Sequence, residues 1–142
     1  MKFKEALSST LAAAVIVLSP IHGLIIIISI AVATDTMCAI YHTIKVNGWR
    51  SFNSHKLFNI VPKTFLYMGT IIFAFLIDKF FFHGELNGVP FAVSKVVTAA
   101  WTGVELKSID ETRMKLGYKS MLVLAKEAYK NIRGIKKNLE DL

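Results

Sequence analysis

The stretch PIHGLIIIISIAVATDTMCAIYHTIKV, Pro20 to Val46, decides the fold. As a helix it would reach about 40 Å at 1.5 Å per residue, enough to cross the roughly 30 Å hydrocarbon core of a bilayer. It also carries Asp35, an ionisable group in a segment where charge is costly and has a functional or packing reason to be present. The apolar block around it runs from about Ala6 to Ile44, too long for one simple span, and Ser19-Pro20 is its single interruption. Serine before proline predicts an N-cap with proline at the first helical position, where the missing N–H does no harm. Two helices are therefore expected, over about 4–18 and 20–46. The first is too short to be a clear span. It either dips into the bilayer, lies on it or crosses as a hairpin partner. Its small residues Ser8, Ser9, Ala12 and Ala13 favour close packing on another helix. A cleaved signal sequence fits poorly, because the apolar run is long and broken by proline.

Composition agrees with a membrane class. Of 142 residues, 54% are hydrophobic and 19% are charged, and the apolar residues fall in blocks rather than in the interrupted rhythm of a soluble core. The net charge of +7 sits between and after those blocks, which fits orientation in an anionic bilayer better than nucleic-acid binding. Lone Cys38 permits no internal disulfide.

Beyond the first block, residues 47–63 form a basic connection with Arg50, Lys56 and Lys63 and an Asn47-Gly48 turn signal. A third apolar helix follows over 64–82, ending near Asp78-Lys79 and three phenylalanines. The break at 83–90 has almost no positive charge. A weaker span over 89–107 is interrupted by Lys95 and Glu105 and diluted by Thr98 and Thr102. With both lysine-rich regions placed in the cytoplasm, the helix over 89–107 must cross. The expected fold is all-α: a small integral membrane protein with three or four transmembrane or re-entrant helices and a C-terminal amphipathic, heptad-patterned helix. Its divisions are a short hydrophobic helix (1–18), a membrane domain (19–107) and a basic cytoplasmic tail (108–142). The location implied is a membrane, crossed several times, with the C-terminus in the cytoplasm.

In the tail, Met114, Tyr118, Met121, Ala125, Ala128, Ile132, Ile135, Leu139 and Leu142 recur at alternating spacings of four and three, a heptad seam. Met121, Ala125, Ala128, Ile132, Ile135 and Leu139 are the candidate contacts between copies in a homo-oligomer. An amphipathic helix lying on anionic lipid is the other reading.

No motif for catalysis is present: no glycine-rich phosphate loop, H-E-x-x-H, C-x-x-C or G-x-S-x-G. Asp35, Cys38 and His42 share a helix face, but one helix rarely supplies a whole zinc site. Neither a catalytic residue, a metal site nor a cofactor is expected. Asp35, Asp78, Lys95, Thr98, Glu105, Ser108 and Glu111 are instead candidates for a polar seam. Such a seam either glues helices together or, in an assembly of several copies, lines a wet passage.

The most specific stretch is ELKSIDETRMKLG, Glu105 to Gly117. With Asp35 in SIAVATDTM, a lysine-bearing loop containing Ser51 and a span ending L-I-D at Asp78, it resembles the bacteriophage holins of the toxin-secretion and phage-lysis type. The family's pattern is E-x-x-S-I-x-E-N followed by L-G. Thr112 replaces the asparagine, Ala39 stands where glycine often follows the first aspartate, and Tyr118-Lys119 stands where a proline follows Leu-Gly. Without that proline the helix is expected to continue into the heptad tail. The resemblance implies a non-enzymatic protein that oligomerises in the inner membrane and permeabilises it, so that a cell-wall hydrolase or toxin leaves the cell. A membrane subunit anchoring a phage-derived or secretion assembly, without a pore, is the competing reading.

Overall fold

The computed structural model describes residues 2–51, 58 and 60–140, with side chains described for 4–51, 58 and 60–133. Almost all of it is helix: α1 (Lys2–Leu18), α2 (His22–Asn47), α3 (Ile60–Phe81), α4 (Ala92–Lys115) and α5 (Met121–Glu140), with a two-residue hairpin, β1 (Glu85–Leu86) and β2 (Val89–Pro90), between α3 and α4. Among the described residues, two stretches are long and apolar enough to cross a membrane, Lys4–Asn47 and Ile60–Phe81.

The Ser19-Pro20 break exists but is not a capped helix start. One 3-10 turn, Ser19–Ile21, joins α1 to α2, and neither Ser19 nor any neighbour supplies a side-chain cap. Proline removes the amide that an α-helix would need there, and the tighter turn absorbs the loss; the His22 amide donates to the Ser19 carbonyl. The small-residue rows of α1 do not pack on another helix. Residues 4–17 are exposed, and Ser8 and Ser9 donate to the carbonyls of Glu5 and Ala6.

Helices α2, α3 and α4 form the core. Ile21, Ile28 and Val32 meet Tyr67, Ile71 and Phe75, with Val97 and Trp101 of α4 packed beside them. Helix α3 begins at Ile60 rather than at residue 64, because Pro62 is tolerated in a first turn whose amides need no helical partner. That shift turns Lys63 from a loop residue into a helical one, on the same face as Tyr67, Thr70 and Asp78.

The connection to α4 is built by backbone chemistry. Asn87 (φ 51°) and Gly88 (φ 81°) occupy the left-handed region, the requirement of the two-residue hairpin turn that Asn-Gly favours. Residues 89 and 90 therefore belong to β2, and α4 starts at Ala92. The Phe91 ring packs on Phe75, centroids 5.6 Å apart.

Helix α4 does not run on into the tail. It stops at Leu116-Gly117, where the Gly117 amide donates to Met114 O (2.9 Å) and the Tyr118 amide to Arg113 O (3.1 Å), the paired bonds of a Schellman closure. Gly117 has φ +85°, a conformation that favours glycine whether or not a proline follows. Met114 and Tyr118 are thus not part of the tail helix, and the seam on α5 starts at Met121. Of its proposed contacts, Ala125, Ala128 and Ile132 are exposed and Met121 half-buried; the side chains of Ile135 and Leu139 lie outside the described residues, as do Lys56 and Leu142. Open space surrounds the Gly117 Cα, so Gly117→Ala is expected to cost only the backbone strain, about 1 kcal/mol, read as a lower midpoint in denaturant titration.

Candidate functional site: a charge cluster between three helices

The hydroxyls of the helices mostly do not reach across to neighbours. Ser29, Thr34 and Thr36 on α2, and Thr98 on α4, donate to carbonyls four residues back on their own helix, the local bond that hydroxyls make in apolar surroundings. Charged and aromatic groups make the cross-helix contacts instead.

Lys63 on α3 stands between two carboxylates. Its Nζ is 3.0 Å from Asp35 Oδ2 on α2 and 2.7 Å from Glu105 Oε2 on α4. Tyr67, one turn along α3, donates its hydroxyl to Glu105 Oε1 at 2.7 Å. Glu105 is fully buried and Asp35 nearly so. The Tyr67 ring stacks on Trp101 with centroids 4.3 Å apart, and Trp101 Nε1 donates to Thr70 Oγ1 at 2.8 Å. Six side chains from three helices therefore form one continuous patch. With both acids ionised, two negative charges face one positive charge, and Asp35 Oδ1 has no hydrogen-bond partner among the described residues.

The second constellation is at the other end of α3. Asp78, fully buried, accepts from the amides of Val93 (3.0 Å) and Ser94 (2.8 Å) and from Ser94 Oγ (2.6 Å). Its carboxylate thus supplies the cap that α4 lacks from Phe91, and it sits where the helix dipole is positive. Its own carbonyl accepts from Gly84 N at 2.8 Å, so one residue closes α3 and opens α4.

The structure brings together only some of the seam candidates. Asp35 and Glu105 join through Lys63, Asp78 and Thr98 are buried nearer the hairpin, and Ser108 is half-buried. Lys95 and Glu111 are exposed, the latter in a long 3.9 Å pair with Lys107; neither belongs to the buried face of α4, which carries Ser94, Thr98, Glu105 and Ile109. Sequence reasoning left out Lys63, Tyr67, Trp101 and Asp110. Spacing from Pro62 as a first-turn residue would have put Lys63, Tyr67 and Thr70 on one helical face.

Asp110, near the C-terminal end of α4, fixes the tail. It accepts from Ser120 Oγ and the Met121 amide, both at 2.7 Å, and those two bonds hold its carboxyl below the ordinary value of 3.8. A depressed folded value means that the link favours the docked state above the ordinary range and weakens as pH falls through the folded value. The Met121 amide protection factor in hydrogen exchange is therefore expected to hold steady down to about pH 4 and to fall below it. In Asp110→Asn it should be lower and flat across the same range.

A family model for bacteriophage holins matches residues 11–131. The chain belongs to the bacteriophage holin family. No curated protein and no solved structure matches it. The matched range takes in both charge constellations and the Glu105–Gly117 stretch, and gives these holin residues structural meanings. Glu105 is a buried ion-pair partner, Asp110 caps the next helix, and Leu116-Gly117 ends α4. Family membership and the apolar helices make this a membrane protein with a membrane-permeabilising, holin-like role.

Proposed function

We propose that this holin accumulates in the bacterial inner membrane, with α2, α3 and α4 crossing it and the C-terminus in the cytoplasm. There it assembles from several copies into a pathway through which a cell-wall hydrolase or toxin leaves. The Asp35–Lys63–Glu105 cluster carries the reading. A purely anchoring span has no need of three ionisable groups among its packed helices, and such groups mark ion or water paths. In a single copy Lys63 pairs with both carboxylates. In a larger ring the same faces can turn to water, where separating the charges costs far less. Three packed helices are too few to enclose a wide channel, so a water-filled path requires several copies. The seam of α5, half-buried at Met121 and exposed at Ala125, Ala128 and Ile132, supplies a contact between copies.

Induced expression in bacteria, followed with a potential-sensitive dye, tests the proposal. Collapse of the membrane potential at a set time after induction is expected, and sustained growth with an intact potential at high membrane content of the protein would overturn it. A chain lacking residues 119–142 should still insert, but should need a higher level to depolarise the cell.

A further inference from the structure

Past the charge cluster, α2 and α4 continue side by side for about 15–18 Å at 1.5 Å per residue, beyond the level at which α3 begins. A cavity of about 390 Å³ opens between them, lined by Met37, Cys38, Tyr41, Thr112, Arg113, Leu116 and Tyr118. Its walls are almost wholly apolar, yet two cations attend it. Arg113 is part of the wall, and Lys45 Nζ stands over both tyrosine rings, 5.8 Å from the Tyr41 centroid and 5.7 Å from that of Tyr118. Neither cation forms an ion pair among the described residues; Asp110, whose carboxyl feels the Arg113 charge, is already committed to Ser120 and Met121.

We infer that this cavity binds one anionic phospholipid, its phosphate held by Lys45 and Arg113 and the upper part of an acyl chain lying against Met37, Tyr41 and Leu116. Charge complementarity selects this occupant. An apolar slot flanked by two cations that form no ion pair among the described residues matches a molecule with an anionic head and an apolar tail, and basic pockets between membrane helices on the cytoplasmic side suit acidic head groups. A neutral apolar segment of a second copy would leave both cations unanswered, and a free phosphate would leave the apolar walls empty. The site rests on the membrane location alone and not on pore formation, so it survives if the depolarisation experiment fails.

Cys38, half-buried in the cavity wall, is the chain's single cysteine and gives a direct readout. Delipidated full-length protein in neutral detergent is alkylated with N-ethylmaleimide, alone or with added phosphatidylglycerol, phosphatidylcholine or inorganic phosphate. Phosphatidylglycerol is expected to slow the reaction at least five-fold, and the other two less than two-fold. Lys45→Gln/Arg113→Gln should react at the lipid-free wild-type rate whether or not phosphatidylglycerol is present. Lys45→Arg and the distant pair Lys126→Gln/Lys130→Gln should keep the protection, which separates loss of the site from loss of fold or of general positive charge. Equal protection by phosphatidylcholine or phosphate overturns the inference. So does undiminished protection in Lys45→Gln/Arg113→Gln, or lost protection in Lys126→Gln/Lys130→Gln. Protection that grows with protein concentration in the absence of lipid also overturns it, because a second copy then fills the cavity.

Discussion

Lys63→Met is expected to lower the stability of the folded chain by about 3 kcal/mol, seen as an early transition in a denaturing-detergent titration followed by circular dichroism. The ammonium lies within 3.0 Å of both Asp35 and Glu105, and removing it leaves two carboxylates facing each other among packed helices. Deleting one partner of a buried ion pair typically costs about 3–5 kcal/mol, because the other charge remains without compensation. The lower figure applies here because the Lys63 side chain is 31% exposed, so water can follow into the space. The same argument predicts rescue. In Lys63→Met/Asp35→Asn/Glu105→Gln no uncompensated charge is left, and the new side-chain amide still offers its carbonyl oxygen to the Tyr67 hydroxyl, so most of the lost stability should return. A triple variant no more stable than Lys63→Met would mean that the lysine stem, rather than its charge, holds the helices.

Asp78→Ala should cost about 2–3 kcal/mol on the same assay. The lost carboxylate accepts three hydrogen bonds at the start of α4, two from main-chain amides, in a fully buried position. An exposed N-cap is worth about 1 kcal/mol, and burial adds the penalty of stranded amides. Asp78→Asn should fall between the two, because one acceptor oxygen survives while the new NH2 group meets a donor. Ser94→Ala, which removes one donor and leaves the amide bonds, should cost about 1 kcal/mol. If Asp78→Ala is instead neutral, α4 is positioned by its packing on α2 and α3 and the Asp78 cap carries no structural weight.

Much of this was legible in the residues. Pro20 to Val46 and the apolar run ending at Phe82 read directly as membrane-length helices, because length and apolarity need no knowledge of neighbours. The polar seam of α4 emerged in part, at Thr98, Glu105 and Ser108. Its partners did not, since periodicity shows which residues share a face but not which faces meet. Lys63 is the clearest case: read as part of a basic loop, it is the group on which Asp35 and Glu105 converge.

Backbone conformation accounts for the remaining differences. The heptad spacing of Met114 and Tyr118 with Met121 continues through Gly117, but a seam is a pattern of side chains and takes no account of a residue at φ +85°. Asn87-Gly88 carried a hairpin signal that hydropathy does not register. Asp110 lay unnoticed between Ile109 and Glu111, because capping by a residue ten positions upstream depends on the Gly117 turn that brings it into reach of Ser120 and Met121.

These details meet in one physical account: a subunit whose core helices are joined through Lys63 and its two carboxylates, and whose polar faces become useful only when several copies gather. Reconstitution tests it most directly. The purified chain is placed in vesicles holding a potassium diffusion potential, and the potential is followed as the protein-to-lipid ratio rises. The account predicts little leak at low ratio and a steep, concentration-dependent loss of potential once copies assemble. Vesicles that stay sealed while inserted, self-associated protein is present would contradict it.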